Sequence, residues 1–169
     1  MQQRKNQAGY TFIELLLYIS IVGTLLTGVT LFFGLAADDR IKNQSTLEVN
    51  QQGMAAMEYM TQTIRNATSI TTPAAGGSGA SLTLVVRTGA LSPTVFDLTG
   101  TNLEVKEGAG AAVLLTSNDV QISGLTFKNL TRSGTFGIVQ VSFTIARTNS
   151  GGRPEYSYQK SFVSSVALR

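Results

Sequence analysis

Hydrophobic and polar positions divide this chain into three textures. From Leu15 to Ala37 no charged residue interrupts the apolar run. At about 1.5 Å per residue those 23 positions make a helix of roughly 34 Å, enough to cross a hydrocarbon core of roughly 30 Å. Charge returns at Asp38, Asp39, Arg40 and Lys42, which mark an outer interface. Beyond it, Met54, Met57, Met60, Ile64 and Ala67 recur at spacings of three and four. That periodicity predicts one apolar stripe on an otherwise polar helix, a face suited to packing on a sheet. The helix is expected to end at Thr71-Thr72-Pro73, because the residue before proline disfavours the α region.

The third texture is β. Ala74-Ala75-Gly76-Gly77-Ser78-Gly79-Ala80 has the composition of a flexible connector. Strand patterns follow at Leu82 to Arg87, Thr94 to Leu98, Leu103 to Lys106, Ala112 to Leu115, Val120 to Leu130, Ile138 to Ile145 and Tyr156 to Leu168. Gly100-Thr101-Asn102 reads as a tight turn, and alternation is clearest in Val139-Gln140-Val141-Ser142-Phe143-Thr144-Ile145. One long helix followed by consecutive hairpins predicts an α+β class with antiparallel pairing. The expected divisions are a leader over 1–9, a transmembrane and assembly helix over 10–37, its amphipathic continuation over 38–72, a flexible loop over 73–81 and a β-rich head over 82–169.

Ordinary signal peptides have an apolar core of roughly 7–15 residues and a small-residue cleavage site, so this longer run predicts a retained span. Arg4 and Lys5 precede it, and positive residues beside a span stay cytoplasmic, which places the head outside. The formal charge of +3 says little about nucleic acid: loss of a leader carrying Arg4 and Lys5 leaves 11 basic against 10 acidic residues. Neither Cys nor His occurs, which removes disulfides, thiolate nucleophiles, Ser-His-Asp triads and His-ligated zinc by inventory. The acidic residues of the presumed outer domain, Glu48, Glu58, Asp97, Glu104, Glu107, Asp119 and Glu155, show no calcium-loop spacing. Glu104 and Glu107 beside Lys106 read as a solvated rim rather than an acid/base pair. No enzyme, cofactor or metal is expected. Tyr156 and Tyr158 beside Arg153 and Lys160 are the only nucleic-acid candidates, and a β-edge with mixed aromatics explains them more simply.

One charge breaks the apolar pattern: Glu14, five residues after Gly9. An ionised carboxylate in hydrocarbon costs several kcal/mol unless paired, so the default reading is functional, with a cation as partner. Cutting Gly9–Tyr10 would supply that cation as a new α-amino group. The competing reading is an interfacial helix end whose side chain snorkels to the headgroups. Gly23, Gly28 and Gly34 in the span fit either close helix approach or local flexibility.

Arg4, Lys5 and Gly9, followed by Tyr10-Thr11-Phe12-Ile13-Glu14-Leu15-Leu16, resemble the class III signal of type IV pilins and type II secretion pseudopilins. The resemblance implies a pilin-like fold, cleavage after Gly9 by a prepilin peptidase, and methylation of the new amine on Tyr10. Phe is the usual first mature residue in that family, and Tyr10 keeps its bulk and ring. It implies as partners the lipid bilayer, other pilin or pseudopilin subunits through the N-terminal helix, and an inner-membrane assembly platform. The order TVFDLTGTNLEVKE, LLTSNDVQISGLTF and FVSSVALR is similar to J-type pseudopilins and W-type minor pilins. The absence of the proline that often interrupts the family's span also favours a minor or pseudopilin subunit.

Two function classes follow. One is a structural subunit of a pilus or pseudopilus, in which Glu14 pairs with the amine of Tyr10 on a neighbour. The other is a lone membrane-anchored β-domain that binds a ligand by itself.

Overall fold

The computed structural model describes residues 11–149, 151–154 and 157–169, with backbone alone at 37 and 38. Helix α1 spans Phe12–Asn66, and the strands are β1 (Ala67–Thr72), β2 (Ser78–Gly79), β3 (Leu82–Val86), β4 (Thr94–Thr99), β5 (Asn102–Glu107), β6 (Val113–Leu114), β7 (Val120–Asn129), β8 (Ile138–Arg147) and β9 (Gln159–Ala167). Two compact units divide the chain between Arg40 and Ile41, and α1 contributes to each.

The second unit is a helix on two antiparallel sheets, ordered β1-β3-β4-β5-β6 and β2-β7-β8-β9. The α+β expectation therefore holds. Alternation decides which side chains go inside. On β8, Val139, Val141, Phe143 and Ile145 are buried, and the residues that alternate with them are not. Leu82, Leu84, Phe96, Leu103 and Val105 come from the first sheet, Val120, Ile122, Leu125 and Phe127 from β7, and Val49, Ala56, Met60 and Ile64 from the helix. All belong to one continuous core. The β4–β5 hairpin closes at Thr99↔Asn102, around Gly100-Thr101. In β7 the register slips between Ser123 and Thr126, where Gly124 has φ +62°, a bulge conformation that glycine adopts without strain.

Three local expectations need correction. The helix ends at Asn66, six residues before the expected stop, and Ala67–Thr72 is strand β1 against β3. Its sequence, ATSITT, is rich in hydroxyl and β-branched residues that favour extended backbone, and Thr68 Oγ1 donates to Val85 O at 2.9 Å. The connector over 73–81 is tied down rather than loose. Ser78 and Gly79 pair with Lys128 and Phe127, Gly76 N–H donates to Asn129 O, and Asn129 N–H donates to Gly77 O.

The third correction concerns the helical stripe. The buried positions of α1 are Ser45, Val49, Gly53, Ala56, Met60 and Ile64, whereas Met54 is 55% exposed and Met57 only partly buried. The phase holds at Met60, Ile64 and Ala67, which are buried, and at Met57, which packs on the core; Met54 alone falls off the stripe, which instead runs back through Gly53, a residue with little hydrophobic weight of its own. Gly53 is buried for its size: the Phe162 ring of β9 occupies the space a Cβ there would need.

Candidate assembly site at the head of the helix

Local sequence explains how α1 begins. Thr11-Phe12-Ile13-Glu14 has the S/T-x-x-E spacing of a capping box. Glu14 N–H donates to Thr11 Oγ1 at 3.4 Å, and Leu15 N–H donates to Thr11 O at 3.2 Å. A carboxylate in the first turn also faces the positive end of the helix dipole. These terms make Glu14 locally comfortable without using its side-chain oxygens.

The carboxylate finds a partner one turn along, where the Tyr18 hydroxyl donates to Glu14 Oε1 at 3.1 Å. Tyr18 escaped sequence reasoning because it looked like one more bulky residue of the span. The signal was its i+4 spacing from Glu14, which sets two side chains side by side on a helix.

The rest of the described span is apolar on every side. An 18-residue window reaches a mean hydropathy of 2.1 with none of it buried, so the helix is long and apolar enough to cross a membrane. Its threonines make no outside demands: Thr24, Thr27 and Thr30 donate to the carbonyls of Ser20, Gly23 and Leu26 at 2.8–2.9 Å. Around Gly23, Gly28 and Gly34 a Cβ would meet nothing within 4 Å. Arg4, Lys5, Gly9 and Tyr10 lie outside the described residues, so the geometry covers the Glu14 half of the expected site alone.

In the head, polar contacts hold elements together. Glu48 of α1 pairs with Arg147 of β8. Gln52 grips the loop before β7 twice, donating to Ser117 Oγ at 2.7 Å and accepting from Ser117 N–H at 2.8 Å. Tyr59 donates to Glu107 Oε1 at 2.9 Å and meets Phe96 edge-on. Desolvation, then the hydrogen bond to Glu107 and its charge, push the Tyr59 phenol above its ordinary range. A cleft of about 390 Å³ opens here, lined by Tyr59, Gln62, Arg87, Thr94 and Glu107 among others.

Alternation along β5 puts Glu104 and Glu107 on opposite faces, so they form no acid/base pair. Among the described residues no group of three or more His, Cys, Asp or Glu is placed to hold a metal. Of the nucleic-acid candidates, Tyr156 lies outside the described residues. Tyr158 packs on the core, and Lys160 Nζ donates to Asn50 Oδ1 at 2.6 Å while lying over the Phe162 ring. Two of the four are thus engaged in the head's own packing.

A family model described as the prokaryotic N-terminal methylation motif matches residues 4–30, a stretch that runs from Arg4 through Glu14 and Tyr18 into the span. No curated protein and no solved structure matches the chain. The signal implies processing by a prepilin peptidase and assembly with other pilins, and so a structural subunit rather than an enzyme. Together with the apolar helix it fits a single-pass, membrane-anchored pilin. Over residues 4–30 the chain thus carries the class III prepilin signal of the type IV pilin and pseudopilin family, at the head of a helix and sheets with pilin-like α+β architecture.

Proposed function

We propose that the chain is a minor pilin or pseudopilin, a subunit at or near the tip of a type IV pilus-like filament or type II secretion-type pseudopilus, where it helps start assembly. One observation carries this reading: a methylation-motif match that ends in an unburied apolar helix whose first turn holds a single carboxylate. In this reading Gly9–Tyr10 is the processing site and Arg4 and Lys5 keep the leader cytoplasmic, with the head outside. Residues 10–37 form the assembly helix, and Glu14 of one subunit pairs with the freed or methylated amine of Tyr10 on another. Removing an unpaired charge from lipid favours association, and apolar helix packing supplies the adhesion. The minor-subunit assignment is supported by the unbroken helix through the span and by the hairpin order of the head.

Intact mass of the membrane-extracted protein tests the processing step, with loss of Met1 to Gly9 expected, with or without an added methyl. Glu14→Ala tests the assembly step: the variant stays in the membrane but disappears from filaments. Normal incorporation of that variant would defeat the Glu14 pairing, whereas a wild-type chain that stays in the membrane, uncut at Gly9–Tyr10 and absent from filaments, would favour a lone membrane-anchored binding module.

A further inference from the structure

Glu14 is the one acidic side chain of the apolar half of α1, and among the described residues its carboxylate accepts from the hydroxyl of Tyr18, 3.1 Å from Oε1. We propose that Tyr18 is a positioning residue for assembly, its hydroxyl holding the Glu14 carboxylate in one rotamer and leaving Oε2 open to an ammonium group from a second subunit. The inference rests on the filament reading above and adds a residue to its contact.

The physical case begins with the unassembled subunit. Each molecule must wait in lipid with its carboxylate lacking a cation, and an unsatisfied charge there is costly. A phenol is suited to this interim role, because its ring is content among hydrocarbon while its O–H donates. Spacing of i to i+4 on a helix sets the hydroxyl beside the carboxylate without bending either element. Since the hydroxyl binds a single oxygen, the carboxylate keeps acceptor capacity for a stronger, charged donor. Fixing the rotamer in advance removes part of the ordering cost from the assembly step. Thr11 fixes the same turn through the Glu14 backbone N–H, so the backbone that carries the carboxylate is anchored as well.

The test uses four full-length chains expressed in cells that assemble the wild type: wild type, Glu14→Gln, Tyr18→Phe and the double variant. The readout is the ratio of filament-borne to membrane-retained subunit. Phe keeps the ring and the helix and deletes only the hydroxyl, so loss of folding is not at issue on this exposed surface. A hydrogen bond to a charged group of this kind predicts that Tyr18→Phe lowers the ratio roughly tenfold. In the Glu14→Gln background the same change is expected to add little, since a residue that acts through the carboxylate has nothing left to position. A wild-type ratio for Tyr18→Phe beside a defective Glu14→Gln would overturn the inference alone. An equal loss in both backgrounds would also overturn it, by showing a packing role independent of Glu14. A wild-type ratio for Glu14→Gln would remove the Glu14 pairing, and this inference with it, while leaving the chain a filament subunit.

Discussion

The ring of Phe162, on the last strand, lies against Gly53 of the helix and stacks on Phe143 at 5.4 Å with an interplanar angle of 18°. A β-strand is thereby docked on a helix through the absence of a side chain. Gly53→Val should drive the ring out and destabilise the head by about 1–3 kcal/mol, in line with overpacking elsewhere. Gly53→Ala adds the same Cβ that the ring excludes, so the ring must shift there too, with the roughly 1 kcal/mol of helix propensity that alanine regains offsetting part of the cost. Thermal unfolding in wild-type and Phe162→Ala backgrounds checks the mechanism: the penalty of Gly53→Val should shrink sharply once the ring is gone.

Alkaline pH should weaken the contact between Tyr59 and Glu107. The phenol's folded-state pKa lies above its ordinary value of 10.0, so the folded form retains a proton that the unfolded form loses first. The stabilisation is therefore fully present below pH ~10 and is lost as pH rises through the folded-state value. Glu107→Gln should bring the Tyr59 titration back toward the ordinary range, read as phenolate absorbance against a Tyr59→Phe reference.

Two contacts between α1 and the sheets should differ in their salt response. Gln52→Ala removes both bonds to Ser117 and should cost about 1–2 kcal/mol, with little dependence on ionic strength. Glu48→Gln opens a half-buried ion pair with Arg147 and should cost about 0–1 kcal/mol, less in high salt. Unfolding midpoints across a salt series separate them.

Asn129 sits in a glycosylation-like triplet, yet it is buried and donates to Pro73 O at 2.8 Å while accepting from Thr131 N–H at 3.1 Å. Asn129→Ala should therefore destabilise the head by about 1–3 kcal/mol by leaving both groups unpaired. Mass analysis of the folded protein should find no glycan on this residue.

Much of this was readable from residue order. The β8 alternation and the β4–β5 hairpin around Gly100 follow from period two and turn chemistry, and the span follows from unbroken apolarity. What escaped depends on tertiary contact. Ser78 and Gly79 become strand only because β7 offers a partner, and Ala67–Thr72 leaves the helix because β3 does. The buried stripe was legible at Met60 and Ile64, but its continuation through Gly53 was hidden, because glycine is nearly featureless until Phe162 packs against it. At the candidate site, Glu14 announced itself as a charge among hydrocarbon side chains, while Tyr18 required the geometry of a helical turn to be noticed.

The hydroxyls of Thr24, Thr27 and Thr30 bond back to their own helix, and this makes the stem portable. A rod whose alcohols are already satisfied can pass from acyl chains to a wall of sister stems without breaking or seeking a bond along that stretch. Its surroundings can change completely while those three side chains remain indifferent. In the filament proposed above, alignment between molecules then falls to the acidic end, so one side chain near the tip of the rod sets where an otherwise slippery cylinder comes to rest.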